Sequence, residues 1–149
     1  MAKFNAELPN DLMKVFDELE TNASFMMGEM CKAGASVVYN KVIKNLGKAF
    51  KRTDTLKKGL KITKVYKTPS DDGINVHIGF YGYNADKKTK AHPKGVPIPL
   101  IAMAREYGTS VNGKEHEEKK PFLRKSFAKK DIEAAMKAVQ DEFIKEDNE

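Results

Sequence analysis

The sequence is poor in several residue types that carry recognisable chemistry. It holds one cysteine, Cys31, and three arginines against 24 lysines in 149 residues. A single cysteine excludes an intramolecular disulfide and a cysteine-based zinc site, so we interpret Cys31 as a small residue packed on a helix. No apolar run approaches the roughly 20 residues that span a bilayer, and residues 1–12 lack the pattern of a signal peptide. We therefore expect a protein made and used in a cytosol, or in a particle assembled there.

Catalytic motifs are missing as well. The chain has no glycine-rich dinucleotide- or phosphate-binding loop, no nucleophile elbow and no His-Glu-x-x-His zinc motif. The histidines His77, His92 and His116 are predicted to lie on a strand, in a lysine-rich loop and in an acidic loop, and none has a second ligand at metal spacing. We predict that the protein is not an enzyme and that it uses no metal or cofactor.

Charge is plentiful and lies in blocks. The net charge is +6, yet the first thirty residues and the tail 141–149 are mostly acidic, whereas residues 41–67 are strongly basic with Asp54 as the only acid. Such blocks are typical of nucleic-acid contact or of complementary faces between copies of one protein, although any one lysine is most simply a solvated surface residue. The residues that we single out as a candidate charged interface are Lys41, Lys44, Lys48, Lys51 and Arg52.

Aromatic residues near the basic stretch raise the possibility of nucleic-acid binding, because bases stack on aromatic rings while lysines neutralise phosphates. No helix-turn-helix, RNP-like or zinc-finger pattern is present. Arginine, which makes the bidentate contacts that read bases, is scarce. We do not expect a sequence-specific DNA reader, and non-specific attraction to phosphates stays open as an alternative.

Residues 10–47 are predicted to form one long amphipathic helix. Pro9 with Asn10 or Asp11 offers a start signal and Gly47 a stop signal. Apolar residues recur at steps of three and four, which is typical of one buried stripe. The stripe consists of Leu12, Phe16, Leu19, Ala23, Met26, Met30, Ala33 and Val37, and a related stripe continues through Val38, Val42 and Leu46.

This helix would be too long for the rest of the chain. At about 1.5 Å per residue it would extend about 55 Å, whereas a compact chain of this size is about 40 Å across. The helix must therefore either break, most simply at Gly28 or Gly34, or project beyond the body. A projecting amphipathic helix needs a partner for its apolar face.

The middle of the chain predicts a hairpin. Thr53 is placed to cap a short turn, residues 60–66 form an imperfect strand, and "PSDDG" is a turn sequence. In the strand that follows, Ile74, Val76, Ile78 and Phe80 share one face. The hairpin must lie on a helix or on further strands to be stable. We predict a mobile loop over residues 84–96.

Two helical regions complete the chain. Residues 97–109, "PIPLIAMAREYGT", predict a helix that ends at Gly108, with Leu100, Ala104 and Tyr107 on one face. A polar loop follows, and Pro121 opens the last helical region, in which Asp131 restarts the helix. The packed face of that helix is predicted to begin at Phe127 and to continue through Ile132, Ala135, Val139 and Phe143. The whole chain, residues 1–149, is predicted to be one α+β domain, with an antiparallel sheet packed on a long N-terminal helix and a C-terminal helix.

The order of these features resembles the neck, or tail-completion, proteins of long-tailed double-stranded DNA bacteriophages, also described as minor tail components. That family shows a Thr-Gly-x-Leu segment, an A-x-x-x-E-[FY]-G-T motif, and Pro-Phe-Leu-Arg before the last helix. Here Ala102 or Ala104 leads to "EYGT" at 106–109, and "PFLR" occupies 121–124. Thr53 with Leu56, or Thr55 with Leu60, stands for the first motif, whose Thr-Gly is not intact. The resemblance covers residues 10–145.

The resemblance implies a structural virion protein of the head–tail connection, which joins or completes the tail end as part of an oligomeric ring. Its implied partners are other neck and tail proteins, namely head-closure, tail-terminator or tail-tube proteins, with weak contact to packaged DNA and no membrane. It would reside in the virion after assembly in the host cytoplasm and be mostly a monomer or small oligomer alone. The alternative is a lysine-rich, non-specific nucleic-acid-binding protein.

The motif residues are candidates for subunit contacts or for fixing the fold. Gly108 can adopt the positive φ that ends a helix, and Phe122 and Leu123 can anchor the next turn. Arg105, Glu106 and Arg124 suit either a contact between subunits or an internal ion pair. The full candidate set is Arg105, Glu106, Tyr107, Gly108, Thr109, Pro121, Phe122, Leu123 and Arg124.

Overall fold

A computed structural model describes residues 10–146, and at Glu146 it describes the backbone alone. The predicted start signal at Pro9 and the tail residues 147–149 lie outside that range. The predicted α+β class is confirmed. The helices of the described part are α1 (Asn10–Ala49), α2 (Asp54–Gly59), α3 (Ile98–Tyr107) and α4 (Lys129–Glu146). The strands are β1 (Leu60–Ile62), β2 (Tyr66–Lys67), β3 (Ile74–Asn75), β4 (Ile78–Phe80), β5 (Tyr83–Asn84), β6 (Val96–Pro97), β7 (Thr109–Val111) and β8 (Lys114–Glu117).

Helix α1 is unbroken over its 40 residues and is about 60 Å long. Of the two alternatives, the helix projects and does not break at its glycines. Gly28 and Gly34 instead permit close packing: a Cβ at Gly34 would lie 3.1 Å from Cγ2 of Ile132 on α4, and one at Gly28 would lie 3.3 Å from Cγ1 of Val65.

The core is built on the C-terminal half of α1. Val38, Val42 and Leu46 are buried there, as the related stripe predicted. They pack with buried side chains from five later segments, namely Leu56, Leu60, Phe80, Ile98 with Ala102, and Phe122. One contiguous cluster therefore joins α1, α2, the hairpin, α3 and the segment before α4.

The N-terminal half of α1 is different, and the prediction of a single buried stripe is wrong there. Leu12, Phe16 and Leu19 are 41%, 54% and 59% exposed. Helix α4 packs back along α1, and its far end is marked by an edge-to-face contact of Phe143 with Phe25, whose ring centroids are 5.8 Å apart. The stripe is bare beyond that contact because no described residue covers it.

The predicted hairpin is confirmed, with one interruption. β1 pairs with β4, and β2 with β3, all antiparallel. Between these pairs the Thr63 N–H donates to the His77 carbonyl at 2.8 Å, so the two ladders continue one another. Leu60 stands opposite Phe80, and both enter the core. The described strands form four separate two-stranded pairs and not one sheet.

The first segment predicted as a loop is a loop between two short strands, and the second is a strand hairpin. β5 and β6 bracket residues 85–95, and the Val96 N–H donates to the Lys87 carbonyl at 2.9 Å. β7 and β8 form a hairpin closed by Asn112–Gly113, both at positive φ (52° and 74°). That is a type I′ turn, and Asn-Gly is its strongest sequence signal.

The later helices begin and end close to prediction, but their buried faces differ. Helix α3 buries Ile98, Ala102 and Glu106 in place of the predicted face, which leaves Leu100 and Tyr107 exposed. Helix α4 starts at Lys129 after a short 3₁₀ turn over Arg124–Ser126. Phe127 is exposed and does not begin the packed face, whereas the other predicted residues are half-buried: Ile132, Ala135, Val139 and Phe143.

Candidate functional site

The two sequence motifs meet at one buried carboxylate. Glu106, 2% exposed, accepts hydrogen bonds from the backbone N–H groups of Phe122 (2.8 Å), Leu123 (2.9 Å) and Arg124 (3.2 Å). The Arg124 Nε–H donates to the same carboxylate at 3.0 Å. We call Glu106 together with residues 122–124 the Glu106 clasp. It joins the end of α3 to the segment that opens the last helical region.

Local chain geometry explains why this segment needs an acceptor. The first N–H groups of a helical turn have no partner within the turn, and a carboxylate near them supplies both acceptors and favourable charge. Glu106 does this for the 3₁₀ turn from a distant part of the sequence. The turn is closed from its other side, where the Ser126 hydroxyl donates to the Phe122 carbonyl at 2.6 Å and Asn45 Nδ2 donates to Ser126 Oγ at 2.9 Å.

The clasp keeps Glu106 ionised. Burial alone raises the pKa of a carboxyl group, because it disfavours the charged form. The N–H groups of Leu123, Phe122 and Arg124 and the Arg124 guanidinium oppose that effect, and the pKa of Glu106 is lowered below its ordinary value of 4.5. Glu106 therefore forms the internal ion pair that was one of its two predicted roles.

Aromatic rings pack around the clasp. Phe122 makes edge-to-face contacts with Phe50 and Phe80, at centroid distances of 5.9 Å and 6.0 Å. The Arg105 guanidinium lies 4.7 Å from the centre of the Phe50 ring and donates to the Arg52 carbonyl at 2.8 Å. Arg105 thus ties α3 to the end of α1 within the chain.

The outer side of the clasp reaches the surface as an apolar groove of about 320 Å³. Its lining includes Phe80, Ala102, Met103, Tyr107 and Leu123. The rims are solvent-exposed at Met103 and Tyr107, and the Arg124 guanidinium lies 5.3 Å from the centre of the Tyr107 ring. We call this surface the clasp groove.

The remaining motif residues hold the turn that follows α3. Gly108 has φ of 76°, and a Cβ there would lie 2.7 Å from the Glu117 carbonyl oxygen, so only glycine fits without strain. Thr109 Oγ1 is buried without a hydrogen-bond partner among the described residues. Pro121 is half-buried immediately before the clasp.

The candidate charged interface is only partly free. Lys41 donates to Asp131 on α4, and this ion pair uses its charge within the chain. Lys44, Lys48, Lys51 and Arg52 are exposed. Sequence reasoning missed that Lys48 shares an open groove of about 500 Å³ with three lysines distant in sequence, which are Lys119, Lys120 and Lys125.

Other residues of the site were also missed. Phe50, Asn45 and Ser126 complete the clasp, but no local pattern marks them. A serine two residues after "PFLR" and an asparagine within α1 are common residues that no motif distinguishes. Their roles follow from tertiary contacts alone.

Two absences within residues 10–146 are relevant to function. No group of three or more His, Cys, Asp or Glu side chains in that range could hold a metal ion, and no helix there has the length and apolar character that crossing a membrane requires. Comparison of the chain with protein-family models, with curated proteins and with solved structures gave no match.

Proposed function

We propose that this chain is a structural protein of the head–tail connection of a long-tailed double-stranded DNA bacteriophage. It joins or completes the tail end as one copy in an oligomeric ring, next to head-closure, tail-terminator or tail-tube proteins. Its mechanism is assembly through complementary surfaces and not catalysis.

The observation that carries this proposal is the clasp. The resemblance rests on two short motifs separated by a charged hairpin, and Glu106 of the first accepts three backbone hydrogen bonds from residues 122–124 of the second. A glutamate and a Pro-Phe-Leu-Arg segment that fold as one unit have a physical reason to occur together. This supports treating them as one paired signature.

The shape of α1 supports the same proposal. Its N-terminal half presents large apolar side chains to solvent, which is typical of a surface that is covered in an assembly. The N-terminal half of α1 is also acidic. The exposed Lys44, Lys48 and Lys51 lie at or just beyond the opposite, C-terminal end of α1. Opposite charges at two ends of one subunit favour ordered contact between neighbours.

The direct test is to interrupt the gene in the phage genome that encodes it and to image the lysate by electron microscopy. We expect filled heads and separate tails, and joined particles should return when the wild-type gene is supplied in trans. Joined, infectious particles at normal yield without the gene product would refute the proposal.

The role of the basic surface can be tested in the same complementation assay. The triple change Lys44→Glu, Lys48→Glu and Lys51→Glu leaves the Lys41–Asp131 pair intact. We expect it to abolish joining, because it reverses the charge of a basic surface that attracts the acidic N-terminal half of a neighbouring copy. A matched reversal of Lys87, Lys88 and Lys90 should be tolerated. If the first variant assembles normally, the charge hypothesis is wrong.

Non-specific nucleic-acid binding is the second candidate, favoured by the groove that brings Lys48, Lys119, Lys120 and Lys125 together. Four ammonium groups from distant segments can neutralise several phosphates at once. A salt titration of binding to a double-stranded DNA oligonucleotide separates the two functions. Tight binding with a steep salt dependence supports the second candidate, and weak binding supports the structural role.

A further inference from the structure

The bare half of α1 has the pattern of a helix that enters a groove. Leu12, Phe16 and Leu19 stand at positions i, i+4 and i+7, the spacing of the anchors in helix-in-groove recognition. All three are exposed, and Met13 and Val15 widen the apolar face at its edges. A face of this width suits a groove better than the narrow seam of a two-stranded coiled coil.

No part of the chain between residues 10 and 146 covers this face. Leu19 lies 19 residues before Val38, where the core begins, which is about 28 Å along the helix axis. Phe143 of α4 contacts Phe25, and Lys67 of β2 forms an ion pair with Glu20 at 3.8 Å, but both contacts leave Leu19 59% exposed. Among the described residues this face is therefore open to a second molecule.

The same chain presents an apolar surface with nothing in it. The clasp groove is lined almost entirely by carbon atoms, and no described residue fills its volume of about 320 Å³. Exposed side chains of Leu100, Met103 and Tyr107 extend its apolar character along the outer face of α3. Its floor is rigid because it includes Phe80 and Phe122, both in the core cluster.

Charge favours a second copy as the occupant. Residues 10–27 carry four carboxylates and one ammonium, a net charge of −3, so the rest of this +6 chain carries +9. Arg124 and Glu106 compensate each other's charge beside the clasp groove, which leaves the exposed Lys61, a member of the basic stretch 41–67, across the ladder from the groove residue Gly79. Pairing two N-terminal halves would instead place like charges together.

We propose that the N-terminal half of α1 from one copy docks into the clasp groove of the next copy, with Leu12, Phe16 and Leu19 as anchors. The two surfaces differ, so the contact is heterologous and repeats from copy to copy; it closes into a ring where the rotation between neighbours permits. The inference rests on the proposed ring and names the surfaces that form it.

Site-directed crosslinking of the full-length purified chain tests the contact. Both chains carry Cys31→Ser, so that each has one cysteine. A Val15→Cys chain is mixed with a tagged Met103→Cys chain and treated with a short bismaleimide. Because the crosslink is irreversible, the linked product accumulates even when the complex is short-lived. We expect a crosslinked dimer containing one chain of each kind. The matched control Thr21→Cys, on the opposite face of α1, should yield at least several-fold less crosslink with Met103→Cys.

Four results decide the proposal. Loss of the Val15–Met103 crosslink when Leu19→Glu is added to the helix supports it further. A crosslink between two Val15→Cys chains in preference to the mixed pair would overturn it in favour of helix-to-helix pairing. Equal yields for Val15→Cys and Thr21→Cys, or no mixed crosslink, would also overturn it.

This test is independent of the gene-interruption experiment. Specific crosslinking together with normal particles in the absence of the gene would leave the docking contact standing and refute the head–tail function. Failed joining without the gene together with no specific crosslink would do the reverse.

Discussion

The two halves of α1 have similar numbers of apolar residues, but the chain covers the apolar face of only one of them. In the C-terminal half, Val38, Val42 and Leu46 are almost wholly buried. They belong to one cluster with residues of the β1–β4 hairpin and of α3 and with the clasp residue Phe122. In the N-terminal half, Leu12, Phe16 and Leu19 recur just as regularly and remain exposed. Apolar residues at helical spacing therefore predict a helix with one apolar face. Whether that face is buried depends on whether the same chain supplies side chains that pack on it.

The largest expected effect compares two phenylalanines. Phe122→Ala should lower the free energy of unfolding by about 3–5 kcal/mol, because it empties a site between two aromatic rings. Phe16→Ala, at an exposed site, should change it by less than about 0.5 kcal/mol in the purified chain. Urea denaturation followed by circular dichroism measures both. Similar losses for the two variants would mean that the N-terminal half is packed in the free protein.

The clasp should contribute strongly although it is polar. Glu106→Gln removes the negative charge that accepts hydrogen bonds from three backbone N–H groups and the Arg124 guanidinium. We expect the free energy of unfolding to fall by about 2–3 kcal/mol. Glu115→Gln, on the exposed β8 strand, is the matched control and should be near neutral. A neutral Glu106→Gln would show that the ionised form is not needed for the clasp.

Acid should weaken the clasp in a defined direction. The pKa of Glu106 is lower in the folded chain than its ordinary value of 4.5, so the unfolded chain takes up the proton first as pH falls. The stabilisation is therefore complete above about pH 4.5 and is lost as pH falls through the folded-state pKa. The stability difference between wild type and Glu106→Gln should shrink over that window. A difference that grows on acidification would contradict the lowered pKa.

The smallest effect compares two glycines of α1. Gly47 has open space around it, and Gly47→Ala should stabilise the chain by about 0.5–1 kcal/mol through helix propensity. At Gly34 a methyl group would lie 3.1 Å from Ile132, and crowding should cancel most of that gain. Thermal unfolding of both variants tests whether α4 truly packs this closely. A larger gain at Gly34 than at Gly47 would show that it does not.

Much of the fold was predictable because local signals are strong in this chain. The apolar period predicted α1 within two residues of its end, and the alternating run before Phe80 predicted the hairpin. The Asn112–Gly113 turn was equally visible in sequence, but the charged residues around it suggested a loop. The break expected at Gly28 or Gly34 failed because a small residue in a helix can also serve close packing.

The site was less predictable for a physical reason. The sequence supplied Glu106 and residues 122–124 as candidates, but which of them meet is decided by how α3 packs against α2 and β4. Asn45, Phe50 and Ser126 complete the clasp through contacts far apart in sequence. The groove lined by Lys48, Lys119, Lys120 and Lys125 likewise forms from segments that lie about 70 residues apart in the chain.

Amide hydrogen exchange along α1 of the purified chain, in dilute and in concentrated solution, tests most directly whether its two halves differ in kind. We predict strong protection at residues 34–46 in both conditions, and weak protection at residues 10–24 that rises with concentration as copies dock. Uniform, concentration-independent protection along the whole helix would contradict a bare N-terminal half that gains its partner only in the assembly.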